Sequence, residues 1–169
     1  MIREITLRGI AALLIAIAAL FALHRAVWLP LSCARAAAIG EAELANAGGA
    51  SYLKQRAGEH VVAMLSDCNA AFPADVRVVF ARAFAYENVG DEHAAVAEYQ
   101  RALTIDRRPE IYLALGMAQL RALDRPHAID TLVRACQFDP AVLIDIGGDD
   151  ELRKEVFTRC EPEAAKLLP

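Results

Sequence analysis

From Gly9 to Leu23 the chain carries neither a charge nor a strong polar group, and this run constrains it more than any other feature. A run of this kind is a membrane-spanning helix or a buried core helix. The segment continues through His24, Arg25, Ala26, Val27 and Trp28 to Leu29, just before Pro30. Counted from Ile10, it gives about 30 Å of helix, about one bilayer core. A core helix of a small domain should show a polar stripe, and none occurs between Gly9 and Leu23. Arg25 is placed to snorkel to the headgroups, and Trp28 sits where an interfacial aromatic belongs. Residues 9–29 are therefore expected to form a single transmembrane signal anchor, with residues 1–8 as a cytoplasmic flank.

Arg3, Arg8 and the amino group precede the span, whereas Arg25 and Arg35 follow it, so the positive-inside count favours a cytoplasmic N-terminus only slightly. Three processing routes compete with an uncleaved anchor. Cleavage after Ala36 would follow the Ala34-Arg35-Ala36 pattern but needs an overlong, charged c-region. A lipoprotein would use Cys33, with Pro30 standing where an aliphatic residue is required. A type IV prepilin would be cut after Gly9, with Leu14 standing where pilins usually carry glutamate.

The composition of the whole chain is that of an all-α protein. Thirty-five residues are alanine and only 7% are aromatic, a balance that favours helices over strands. A chain of 169 residues suffices for one compact domain. Gly48-Gly49, Pro73, Gly90, Pro109, Asp124-Arg125-Pro126, Pro140 and Gly147-Gly148 divide it into segments of helix length. The first hairpin, residues 31–73, places small or apolar residues at Cys33, Ala37, Gly40, Leu44 and Ala47. Across the turn the stripe continues at Leu53, Ala57, Val61, Met64, Cys68 and Ala71.

An internal repeat follows, at a constant offset of 33 residues. It aligns Ala83 with Gly116, Asp91 with Asp124, Ala95 with Ala128, Tyr99 with Leu132, Ala102 with Ala135, and Asp106 with Asp139. Leu115-Gly116, Ala128, Ala135 and Pro140, with Gly90-Asp91, Ala95, Tyr99 and Ala102, resemble the tetratricopeptide repeat. That family pairs helices through small residues where they cross, and here Tyr86, Tyr99, Tyr112 and Leu132 would fill the remaining space. Arg82 departs from the family's leucine, and Arg107 from its proline. The resemblance implies a short helical-hairpin solenoid: two repeats over residues 75–140, residues 31–73 as a degenerate leading hairpin, and residues 141–169 as a helical cap. In the cap, Asp149 or Asp150 is the expected N-cap, with Leu152, Val156, Cys160, Ala164 and Leu167 on the inner stripe.

In an antiparallel hairpin, residues at one height share an index sum. Cys33 and Cys68 are centred between Ala50 and Ser51, beside the Gly-Gly turn, and should face each other. Cys136 and Cys160 form the second candidate pair, although the connection from Asp139 to Asp149 weakens the symmetry argument. The opposite reading is four reduced, buried cysteines in a cytosolic protein. Formation of either bond implies an oxidising compartment.

Ser32, Ser51 and Ser66 lie in no nucleophile motif, and His24, His60, His93 and His127 are scattered without ligand spacing. Asp145, Asp149, Asp150 and Glu151 do not have the spacing of an EF-hand and read as an acidic helix start. The sequence thus predicts no enzyme, no metal site, no cofactor and no small-molecule substrate. A net charge of -4 argues against nucleic acid.

In tetratricopeptide proteins the first helix of each repeat lines a concave groove. By that resemblance it would display Arg77, Phe80, Phe84, Glu87 and Asn88, then Glu110, Leu113, Met117, Leu120 and Arg121. Phe80 and Phe84 replace the lysine and asparagine of the family's carboxylate clamp, so an apolar or helical partner suits it better. Alternatively, the chain's own leading or closing helix fills the groove. The favoured expectation is a single-pass protein of a bacterial inner membrane holding a protein-binding scaffold in the periplasm, as a subunit of a membrane or envelope complex. The alternatives are a pilin-like subunit self-assembling into an extracellular fibre, and an anchored periplasmic chaperone.

Overall fold

The computed structural model describes residues 2–147 and 149–161, and every regular element in them is helical. The elements are α1 (Ile2–Leu23), a π-helical turn (His24–Trp28), α2 (Leu29–Asn46), α3 (Ser51–Ala71), α4 (Val76–Val89), α5 (Glu92–Ile105), α6 (Pro109–Arg121), α7 (Arg125–Phe138), a single turn α8 (Val142–Asp145) and α9 (Asp150–Cys160).

The apolar N-terminal helix does not stop at Pro30. Helical conformation runs unbroken from Ile2 to Asn46, and its part from Ala12 to Asn46, 35 residues, contains a window long and apolar enough to cross a membrane. Proline lacks an amide hydrogen and crowds the carbonyl four residues back, which would normally break the rod. Here the turn just before it widens, with the Leu29 amide donating to the His24 carbonyl. Pro30 then occupies the first turn of α2, where its missing donor does least harm. Leu13, Leu14, Ile15, Ile17, Leu20 and Phe21 are exposed along α1. Burial begins abruptly at Leu29, which packs against the cluster of Cys33, Ala37, Val61 and Cys68.

Asp75, Asp91 and Asp149 cap α4, α5 and α9 by accepting from the backbone amides of Arg77, Ala94 and Leu152. Of the two candidates for the last helix, Asp149 and Asp150, Asp149 is thus the N-cap. Each of α2 to α7 packs on its successor, α2 also reaches α4, and α7 reaches α9. The starts of α6 and α7 repeat those of α4 and α5 at the offset found in the sequence. Small residues permit the close approaches. A Cβ on Gly58 of α3 would stand 2.6 Å from the Ala85 carbonyl oxygen of α4, and one on Gly116 of α6 would stand 2.6 Å from the Leu132 side chain of α7.

The stripe of α3 is rotated from the expected one. Gly58 and Leu65 are buried with Ala57, Val61 and Cys68, while Leu53 is exposed and Met64 only half-buried. α3 has two neighbours, α2 and α4, so its buried face is wider than a single hairpin requires. The cap buries Leu152, Val156 and Cys160 as foreseen; Ala164 and Leu167 lie outside the described residues. The long connection before it is organised by α8 and by fully buried Ile146. Arg153 donates to the carbonyls of Leu143 and Ile146 at 3.1 and 2.9 Å.

Both cysteine pairs are at bonding distance, with Cα separations of 5.4 Å for Cys33–Cys68 and 6.1 Å for Cys136–Cys160. Cys33–Cys68 spans 35 residues of chain. Replacing both cysteines by alanine is expected to cost about 2–4 kcal/mol in denaturant unfolding, chiefly through the freed unfolded chain; non-reducing peptide mapping that finds both thiols free would rule the bond out. A second expectation concerns Leu123, which has a φ of 61° where the preceding repeat has Gly90 at 86°. Left-handed backbone is costly for a residue with a Cβ, and Leu123 is 91% exposed, so Leu123→Gly should stabilise the fold by about 1 kcal/mol in the same assay.

Candidate functional site

The ten residues expected to line one groove are distributed among three settings. Arg77 and Glu110 are exposed in the first turns of α4 and α6, and Arg77 is held by Asp75 at 2.8 Å. Phe80 meets Tyr99 edge-on with ring centroids 5.4 Å apart, while Leu113 and Leu120 pack on the cluster of α6, α7 and α9. These three belong to the packed interior, and Met117 is half-buried. The remaining four, Phe84, Glu87, Asn88 and Arg121, gather at the other end of the molecule.

There they form one side of a cleft of about 600 Å³, whose opposite wall is the leading hairpin: Leu44, Ala45, Gly48, Ser51, Lys54 and Gln55. None of the hairpin residues was among the candidates, because helix periodicity does not reveal that α2 leans on α4 as well as on α3. Phe84 is half-buried and packs against the cluster that includes the hairpin's buried residues.

The polar floor of the cleft is cross-linked. Arg121, in the last turn of α6, reaches Glu87 of α4 at 2.5 Å and Glu92 of α5 at 3.1 Å. Asn88 donates to the Phe84 carbonyl at 2.8 Å. Burial pushes the Glu87 carboxyl above its ordinary range, and the nearby Arg121 charge only partly opposes this. Burial likewise pushes the Tyr99 hydroxyl well up, reinforced by the Glu87 charge. The cleft thus offers apolar contact from Leu44, Phe84 and Val89, two cations, Lys54 and Arg121, and amide groups from Gln55 and Asn88. Among the described residues, its one carboxylate is Glu87, which is already tied to Arg121.

Outside the cleft, Arg82 fills the place where the repeat pattern has leucine. It lies between α4 and α5, 3.2 Å from Glu98, with its guanidinium 5.7 Å from the centroid of the Tyr86 ring. Glu98 also takes Arg101 at 3.2 Å, and Arg101 donates to Asn69 of α3. A leucine would pack this seam without charge; the charged side chains instead form a network joining three helices, and it leaves Arg82 Nε and Arg101 Nε buried without a hydrogen-bond partner among the described residues.

Two outcomes test the site. Phe84→Asn should lower unfolding stability by roughly 1–3 kcal/mol, since it buries an amide against the hairpin. Glu87 binds its proton more readily when folded, so its contribution to stability is greatest below the ordinary carboxylate range and is lost as pH rises through its folded pKa. Denaturation at a series of pH values should therefore show wild type gaining on Glu87→Gln as the pH is lowered through that window. A constant difference would mean that Glu87 is not desolvated. No protein-family model matches the chain, and no curated protein matches it.

Proposed function

We propose that this chain is a non-catalytic interaction module of the tetratricopeptide kind, anchored by one N-terminal helix and serving as a scaffold or accessory subunit of a bacterial inner-membrane or envelope complex. The observation that carries the reading is the cleft between the leading hairpin and the ends of α4 and α6. It combines an apolar wall with exposed Lys54 and the amide groups of Gln55 and Asn88, a setting for an apolar side chain flanked by an acidic or amide group of a protein partner. The exposed apolar helix preceding the domain supports the anchor. Two disulfides support an oxidising compartment and hence a periplasmic domain.

One observation favours the fibre reading as well: the unbroken rod from Ala12 to Asn46 has the form of a helix that packs into a fibre core. Intact mass from native membranes separates the two, because loss of residues 1–9 would favour the fibre and the full chain the anchor. For the anchored reading, alkaline phosphatase fused after Pro169 should be active and a cytoplasmic reporter at the same point inactive; the reverse would overturn the orientation. A photocrosslinking residue at Gln55 should then capture a defined protein in native membranes, whereas one at exposed Thr158 should not. Equal capture at both positions would remove the cleft from the function.

A further inference from the structure

The unbroken helix fixes more than attachment. Leu29 is both the last residue of the apolar span and the first to pack into the domain, in the same cluster as Cys33, Cys68 and Phe72. Phe72 opens the α3–α4 connection, so that connection stands level with the end of the span. The later connections return to the same end. Val76, Ile105 and Ile111, from the start of α4, the end of α5 and the start of α6, share one small cluster. Tyr112 at the start of α6 stacks on Phe138 at the end of α7, with centroids 5.5 Å apart. The opposite connections meet at the cleft, where Gly48, Gly90 and Arg121 line one wall or another.

We infer that the end of the domain formed by the α3–α4, α5–α6 and α7–α8 connections seats on the lipid headgroups, leaving the cleft facing away from the bilayer. This rests on the anchored reading, because only an inserted α1 brings lipid to Leu29. The seating end has suitable chemistry. Pro73 and Ala74 are exposed, and Phe138 is 59% exposed, so apolar groups are available for the interface. Asp75 and Asp106 are held by Arg77 and Arg108, each at 2.8 Å, which reduces repulsion from lipid phosphates. Arg107 stands exposed beside the second pair and can reach a phosphate as an interfacial arginine does.

Single-tryptophan fluorescence of the full chain in vesicles of phosphatidylethanolamine and phosphatidylglycerol tests this, since Trp28 is the only native tryptophan. In the native chain, lipid brominated on its acyl chains should quench Trp28. Three variants then combine Trp28→Phe with Ala74→Trp, Phe138→Trp or Tyr52→Trp, with far-UV dichroism confirming that each is folded. Tyr52 is exposed at the cleft end. Lipid brominated close to the headgroup should quench and accompany a blue shift at positions 74 and 138, and leave position 52 unaffected. If Trp28 is quenched but 74 or 138 is not, the seating is wrong and the anchor stands. If 52 is quenched too, the domain lies on its side and the seating is again overturned. If Trp28 itself escapes quenching, the anchored reading fails and the seating with it.

Discussion

The pairing of α2 with α3 is the constraint on which the rest of the architecture depends. α2 prolongs the apolar helix, so whatever holds α2 also holds the domain to that helix. Two contacts do so. Cys33 is joined to Cys68 one turn beyond Leu29, and farther along Gly40 lets Val61 approach so closely that a Cβ there would stand 2.8 Å from its Cγ1. α3 in turn presses on α4 through Gly58. Orientation is thus passed from rod to hairpin to repeats through close approaches at Gly40 and Gly58, with Leu44 and Leu65 packed in the same cluster. Packed interfaces of this kind shift discretely rather than bend.

The repeats continue the logic with a different balance of forces. Ala81, Ala83 and Ala85 of α4 and Ala95 and Ala102 of α5 are wholly buried, so the axes come close and each helix gains backbone contact rather than large side-chain area. Such a seam is thin in apolar volume, and two polar links reinforce it. Glu98 joins Arg82 and Arg101 on one side, and Arg121 joins Glu87 and Glu92 on the other. Buried ionic groups add little net stability, but they penalise a slipped register, because a shifted helix would leave a charge buried without its partner.

What could be read from the sequence followed from local spacing. The offset of 33 residues foreshadows the starts of α6 and α7, the index sum of Cys33 and Cys68 foreshadows their contact, and Asp149 is legible as one of two candidate N-caps. What could not be read depends on a third element meeting two others. Pro30 looks like a helix end because the compensating π-turn is a property of the rod it interrupts, not of the proline. Phe84 looks like a groove residue because nothing in α4 announces that it will pack against the cluster of the leading hairpin. Lys54 and Gln55 look like ordinary solvent-facing positions of α3, and they become cleft residues only when the turn at Gly48 folds beside α4. α8 is hidden for a related reason: its four residues hold too little periodicity, and its order depends on Arg153 from the following helix.

A rigid rod also determines height. α2 comprises 18 residues, so the turn that bounds the cleft stands roughly 27 Å along the helix axis from Leu29. Under the anchored and seated reading, that length separates the lipid headgroups from Lys54, Phe84 and Arg121. A flexible tether of the same contour would let the cleft sample many heights and dilute its effective concentration for a membrane-bound partner. A stiff helix instead holds the cleft at one height, which favours partners presenting a segment at that distance from the bilayer over those that hug the surface. The disulfide at Cys33 matters most in this setting: it lies at the foot of the rod, where a small loosening of the hairpin would translate into the largest swing of the cleft.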